Sequence, residues 1–434
     1  MNDANERPRW EVADVIRSHG EAFLRKYGSH LRPDQKATLN RLTLCRTAAL
    51  GGHSRLCLQC GHEQIAYNSC RNRHCPKCQA LSRARWLERE SKLLLPVEYF
   101  HVVFTLPQEV AALVTSAPTS NNAKVIYSLL FEAASATLRE VAANPKRLGA
   151  KIGVLAVLHT WGQNLHHHPH LHCVVTGGGP SCDAKGKIDA SPRWVSCRPG
   201  FFLPVRVLGR VFRGKFADGL RRAFAAGALT FEGALADLKE AGAFASWLTS
   251  LCRKEWVVYA KPPFGGPERT LKYLARYTHR VAISNSRILD IDEAGVKFQV
   301  KDYADGGKST TTRLTHEEFL RRFSQHILPR GFVKIRHYGL LANHKRKKWL
   351  RLCRCLLLPL MILAAATLPG SVGDAIAPAL PESCSRCGGM YFERHLLGKH
   401  FGDAPVGAAS PSGSPPTASV GGGESMAVDG GDTS

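Results

Sequence analysis

Apolar residues recur along this chain with two periods, and the switches between them mark the elements. Near the start, IRSHGEAFLRKYG and LRPDQKATLNRL place apolar positions three and four apart, which predicts helices within residues 10–44. Ser82–Leu95 reads as a basic helix. His101–Leu106 (HVVFTL) alternates and is β-branched, so it predicts a strand that Pro107 ends. Helices are expected at 108–116 and 123–143, then strands at 152–159 and 170–176. The loop between those strands is short, which favours antiparallel pairing, because parallel pairing needs a longer crossover. Residues 182–200 are small and polar and read as an insertion. Two helical stretches, 201–226 and 231–251, come next. Trp256–Ala260 reads as a strand, KPPFGG as a turn and 267–278 as a helix. Strands near 281–290 and 295–303 suit a hairpin around Asp292-Glu293-Ala294-Gly295. In THEEFLRRFS, Thr315 followed by Glu318 gives a helix-capping pattern. The expected fold class is α+β: a central, mostly antiparallel sheet with flanking helices. Alternating strand and helix signals also allow a doubly wound parallel sheet.

Charge changes the picture more than composition does. The formal net charge of +24 over 434 residues favours a polyanionic partner, DNA above all, through phosphate contacts and counterion release. Lys334–Arg354 contains no acid and includes Arg336, Lys345, Arg346, Lys347 and Lys348, which suit a DNA backbone. Trp349 and Tyr338 suit stacking on unpaired bases. The longest apolar run, Leu356–Leu368, is shorter than the roughly 18 residues of a membrane span and contains Pro359. The polar opening MNDANERPRW lacks a signal-peptide core. A cytoplasmic, bacterial and nucleoid-associated protein with no membrane contact is expected. Gly177-Gly178-Gly179 lacks the following Lys-Ser/Thr of a nucleotide loop and reads as a flexible strand exit. The Gly/Ser/Pro/Ala-rich residues 403–434 have the composition of a disordered tail.

Fourteen cysteines show metal spacing rather than a disulfide framework. Cys57-x2-Cys60 and Cys75-x2-Cys78 are expected to close one four-sulfur structural Zn²⁺ site, because each turn presents two thiolates to one tetrahedral ion. Cys45, His53, His62, Cys70 and His74 offer ligands for a further site. A third turn, Cys384-x2-Cys387, has candidate partners in Cys353 and Cys355, or in His395 and His400. Arg71, Arg73 and Lys77 make the region basic and suited to DNA recognition.

The run HHHPHLHCVV holds the remaining chemistry. His170 and His172 lie two apart at the head of a strand, so they project from one face while Leu171 enters the core. Two imidazoles on one face make a metal half-site. Antiparallel pairing with 152–159 brings His159 beside them as the third ligand; His168 and Gln163 are rivals. Tyr273 and Tyr277, four apart on the expected helix, share a face. A tyrosine hydroxyl beside a divalent ion can attack a phosphodiester, with Lys272, Arg276 and Arg280 placed to clamp phosphates.

HPHLH, the YxxxY pair and the segment CRTAALGGHSRLCLQCGHEQIAYNSCRNRHCPKCQ together resemble the HUH-type, two-tyrosine rolling-circle transposases of the insertion-sequence ninety-one family. FHVVFTLP, VLHTWGQNL and LPRGFVKIRHYGLL extend the resemblance from about Cys45 to about Leu341. It implies single-strand cleavage through a 5′-phosphotyrosine, a free 3′-hydroxyl, and Mg²⁺ or Mn²⁺ as cofactor. Carried over, the histidine pair is His170 and His172, and the nucleophiles are Tyr273 and Tyr277. The implied layout is N-terminal helices over 1–44, a zinc-binding DNA-recognition module over 45–95, a catalytic domain over 96–345, a basic CxxC region over 346–402 and the tail. A replication initiator or relaxase would use the same chemistry, and a non-catalytic zinc-dependent DNA-binding remnant would keep the same residues. A tyrosine recombinase is disfavoured, because no His-x-x-Arg occurs in the chain.

Overall fold

The computed structural model describes residues 8–264, 269–270, 273, 278–279, 281–302, 306–365 and 383–399. Helices α1 (Val12–Tyr27) and α2 (Pro33–Thr43) open the chain, followed by strands β1 (Gly52–Cys57) and β2 (Glu63–Tyr67) and helix α3 (Gln79–Ser91). Next come β3 (Tyr99–Thr105), α4 (Gln108–Ser116), α5 (Asn122–Ala143), β4 (Gly153–Trp161) and β5 (His167–Thr176). Short strands β6 (Gly178–Pro180) and β7 (Trp194–Ser196) precede α6 (Val205–Ala225), α7 (Ala241–Arg253) and β8 (Val258–Phe264). Then follow β9 (Ile288–Asp292), β10 (Gly295–Asp302), β11 (Lys308–Leu314), α8 (His316–Gln325), β12 (Ile335–Gly339), α9 (Arg346–Ala365) and β13 (Phe392–Leu397).

The central sheet has the order β12-β4-β5-β3-β8, and every neighbouring pair is antiparallel. This is the α+β arrangement expected from the alternation pattern, and no parallel pairing occurs among its strands. Side chains alternate across it. Phe100, Val102, Phe104, Val154, Ala156, Leu158, Leu171, Cys173 and Val175 point to one face and form the main core with α4, α5, α6 and α7. On the other face, Tyr99, Leu155, Val157 and Val174 pack against Trp86 of α3 and Leu350, Cys353 and Leu357 of α9. That second layer covers only part of its face, and the histidines occupy the rest.

A third cluster joins α1 and α2 to Cys45, Cys70, Cys75 and Cys78 and to the meander β9-β10-β11 with α8. Thr315 caps α8 by accepting from the Glu318 N–H at 3.3 Å, as the capping pattern predicts. Two expectations change. The single helix over 231–251 is a 3-10 segment, Gly233–Lys239, followed by α7, and Gly233 has a left-handed φ of 57°. Lys261–Phe264, expected to begin the KPPFGG turn, stays paired to β3, and the two glycines lie outside the described residues.

The glycine run after β5 is not a flexible exit. A Cβ at Gly179 would lie 1.8 Å from the Lys151 carbonyl oxygen, and one at Gly177 would lie 2.8 Å from that of Glu98. Glycine is required there because backbones approach too closely for any side chain. The tail expected over 403–434 lies outside the described residues. Among the described residues no helix is long and apolar enough to cross a membrane.

Candidate active site and metal centres

In the β4–β5 register, His159 lies opposite His170 and Val157 opposite His172. Directly paired residues share a face, so all three imidazoles rise from the partly covered side of the sheet. Their ring centroids are 4.5–5.5 Å apart, and one ligand atom from each lies within 4.8 Å of the others. The His170 and His172 Nε2 atoms are 3.2 Å apart. Two nitrogens bound to one ion at ~2.1 Å are separated by roughly 3.0–3.4 Å, so this spacing suits a shared cation. His170 Nδ1 donates to the His168 carbonyl at 2.7 Å, which leaves Nε2 with its lone pair in the neutral ring. Burial pushes the His170 pKa down to about 4 and keeps that ring neutral. His159 is buried and stacks on Trp161 at 4.6 Å. Of the histidines expected as the third ligand, His159 joins the group; His168 serves the site through its backbone.

A fourth histidine extends this group. His101, on β3, is placed diagonally from His172, and its Nε2 lies 2.8 Å from His172 Nδ1. Its Nδ1 lies 2.8 Å from the Tyr273 hydroxyl. Burial, Lys261 and His170 hold His101 down to about 3, so it is neutral. The sequence reading missed this residue, because a lone histidine in HVVFTL looks like core. The available signal was parity: 101, 103 and 105 share the face that His170 and His172 use. Tyr273 has helical backbone, as do Arg269, Thr270 and Thr278. Tyr277, Lys272, Arg276 and Arg280 lie outside the described residues.

The cysteines separate differently from expectation. Cys57, Cys60, Cys75 and Cys78 do not share a site. Cys75 and Cys78 instead join Cys45 and Cys70 in a buried four-sulfur group, with the Cys70 and Cys78 sulfurs 3.8 Å apart. Cys57 and Cys60 face Cys384 and Cys387. Sulfurs about 2.3 Å from one tetrahedral ion lie about 3.8 Å apart, so the buried group fits zinc. The spacing was legible but the partnership was not, because a CxxC turn fixes a pair and says nothing of what it faces. The histidines offered as ligands do other work. His74 Nε2 accepts from the Leu328 N–H at 3.3 Å, and His395 lies on β13, paired with Ser54 of β1. His400 lies outside the described residues, Cys353 is core and Cys355 is exposed.

The expected DNA contacts divide in the same way. Arg73 donates to the carbonyls of Phe332, Pro329 and Leu328 and ties the cysteine module to the loop before β12. Arg336 faces Ala156 across the β12–β4 pair, which puts it on the helix-covered side. Its guanidinium lies 4.3 Å from the Phe131 ring centroid, which removes it from an exposed contact surface. Lys77 pairs with Glu11 at 2.6 Å. Arg71, Lys345, Lys347 and Lys348 are exposed and Arg346 is half-buried. Lys345–Lys348 sit at the start of α9, where the helix dipole disfavours cations and the first turn holds no acid. A cleft of about 510 Å³ between the cysteine module and the end of the tyrosine segment is lined by Lys77, Arg83, His279 and Arg287.

Comparison with known proteins identifies the class as a transposase with a zinc-binding module. Residues 153–348 match the family model described as "Putative transposase", and residues 15–106 match the "Transposase zinc-binding domain". A protein named "Putative transposase y4qJ" from Sinorhizobium fredii (strain NBRC 101917 / NGR234) is 52% identical over 80% of this chain and 84% of its own. The "Transposase for insertion sequence element IS801" of Pseudomonas savastanoi pv. phaseolicola is 27% identical over 72% of each chain. The chain belongs to the insertion-sequence ninety-one (IS91) family of transposases. No solved structure matches it.

Proposed function

We propose that this transposase cleaves one DNA strand with Tyr273 and transfers it through a phosphotyrosine intermediate. The observation that carries the reading is the chain of contacts from the Tyr273 hydroxyl through His101 to His172, within a cluster of three inward-facing imidazoles. Donor chemistry bears on the ion. Nitrogen ligands suit first-row transition ions better than Mg²⁺, which prefers oxygen, so of the two expected cofactors Mn²⁺ fits better. A cation held by His159, His170 and His172 would polarise the scissile phosphate and neutralise charge on its oxygens.

The protein's own groups then set the tyrosine. His172 turns Nε2 toward the shared point, so in the neutral ring its proton resides on Nδ1 and is donated to His101 Nε2. A neutral His101 therefore carries its proton on Nδ1 and donates it to the Tyr273 oxygen. That hydrogen bond fixes the phenol and stabilises negative charge as the proton leaves to water. The Tyr273 oxygen bonds to phosphorus, the P–O3′ bond breaks, and O3′ takes up a proton. Bond energy is conserved, so a 3′-hydroxyl can attack the phosphotyrosine, form a new P–O3′ bond and release Tyr273, while a second tyrosine, Tyr277, can cleave another phosphodiester in the same way. Exposed Arg71, Lys345, Lys347 and Lys348 and the basic cleft supply phosphate contacts that hold the strand.

The reading is tested on labelled single-stranded oligonucleotides carrying the element's ends. A covalent protein–DNA adduct on a denaturing gel, formed with Mn²⁺ and absent with EDTA, is expected. Intact DNA binding without an adduct on any end sequence would contradict it and favour a non-catalytic binding protein.

A further inference from the structure

The chain carries two Cys-x-x-Cys-Gly turns that lie over 300 residues apart in sequence and meet in space: Cys57–Gly61 and Cys384–Gly388. They are built alike. The Gly61 N–H donates to the Cys57 carbonyl at 2.8 Å, and the Gly388 N–H to the Cys384 carbonyl at 2.9 Å. Both glycines are left-handed, with φ of 70° and 75°. The turns face each other so that Cys57 Sγ is 3.7 Å from Cys387 Sγ and Cys60 Sγ is 3.7 Å from Cys384 Sγ. Disulfide sulfurs lie about 2.05 Å apart, and sulfurs sharing a tetrahedral zinc lie about 3.8 Å apart. The spacing is that of a shared ion.

The backbone around the turns is matched as closely. β13 runs antiparallel to β1 from Gly52↔Leu397 to Cys57↔Phe392, completing the sheet β13-β1-β2. Leu58 N–H donates to the Tyr391 carbonyl at 3.1 Å, and Gln64 Nε2 donates to Ser385 Oγ at 2.7 Å. Gly389 admits the Gln59 side chain so closely that a Cβ would sit 2.4 Å from its Oε1.

Apolar burial does not explain why β13 stays there. Leu396 is 94% exposed and Tyr391 75% exposed. Among the described residues, none beyond Leu357 belongs to the three core clusters. A small three-stranded sheet without a core needs a staple. The matched family regions, 15–106 and 153–348, both leave out the second turn.

We infer that Cys57, Cys60, Cys384 and Cys387 form a second structural zinc site that fastens the C-terminal strand to the N-terminal module. The inference is independent of the nuclease reading, since the site touches neither the histidines nor Tyr273. Residues 383–399 then belong to the zinc-binding module, although the sequence places them with α9.

Zinc content of the full-length protein, reconstituted with zinc and desalted, tests this by elemental analysis. Because the imidazole cluster can also take up zinc, the expected result is a difference: Cys384→Ser/Cys387→Ser and Cys57→Ser/Cys60→Ser should each hold one zinc ion fewer per chain than the wild type. Hydrogen exchange supplies a second reading: amides of 392–397 should lose protection in Cys384→Ser/Cys387→Ser while those of β4 and β5 keep theirs. One zinc in the wild type would overturn the inference. So would a zinc content in Cys384→Ser/Cys387→Ser equal to that of the wild type, or unchanged protection of 392–397 in that variant.

Discussion

His101 is the residue whose role most depends on the three-dimensional arrangement. It bridges Tyr273 and His172 at 2.8 Å on each side, and its neutral ring has one proton to give. Removing an oriented donor from a developing oxyanion typically costs 10²–10³-fold in rate. His101→Ala should therefore slow adduct formation by about 10²-fold with the Mn²⁺ requirement unchanged. Asn places an amide N–H near the Nδ1 position, so His101→Asn should recover part of the loss. Single-turnover rates for the three proteins decide it, and equal rates for wild type and His101→Ala would remove the bridge from the mechanism. His170 and His172 were legible in the sequence because a strand repeats every two residues. His101 was not, because its meaning comes from a diagonal across two strands. The basic residues show the same limit: Arg73 and Arg336 have the charge a DNA contact needs, yet carbonyls and a phenylalanine ring take them.

At the scale of elements, alternation located the sheet well. The strands expected at 101–106, 152–159 and 170–176 lie within or overlap β3, β4 and β5, because β-branched runs flanked by proline and glycine have few alternatives. What was not legible was close backbone approach. Gly179 was read as slack, but β6 crosses the Lys151 carbonyl where a Cβ would lie at 1.8 Å. Gly179→Ala should cost about 3 kcal/mol or more, since backbone must move to admit the methyl. Gly214, in α6, has open space where its Cβ would be. Gly214→Ala should be neutral or stabilise by up to about 1 kcal/mol, since alanine suits a helix interior better. Urea midpoints of the two variants separate these outcomes; equal midpoints would show that the β6 crossing is soft.

Among the described residues, helices α4 to α7 cover one side of the sheet, α3 and α9 cover part of the other, and the chemistry collects on that partly covered side. The histidines, the tyrosine segment and the basic cleft share that side, and α9 carries its basic start beside the second layer. Lys345, Lys347 and Lys348 are exposed, with no acid in the first turn of their helix, so they should act on phosphates without reading sequence. Replacing all three by Ala should weaken binding to unrelated single strands alike. It should also reduce the slope of log K against log salt by about 2, at roughly 0.7 per phosphate contact. An unchanged slope would place the DNA path elsewhere. Cysteine partnership is a property of this scale too. Local spacing announced three turns, but only the folded chain shows which pair meets which.

The central claim is that Tyr273, positioned by His101 beside the imidazole cluster, becomes covalently attached to DNA. The most direct measurement is to form the adduct with Mn²⁺, digest it with protease and nuclease, and locate the nucleotide by mass spectrometry. Tyr273→Phe and Tyr277→Phe would be run in parallel. A modified Tyr273 peptide is expected in the wild type, and its loss in Tyr273→Phe. An adduct mapped only to another residue, or one undiminished in Tyr273→Phe, would contradict it.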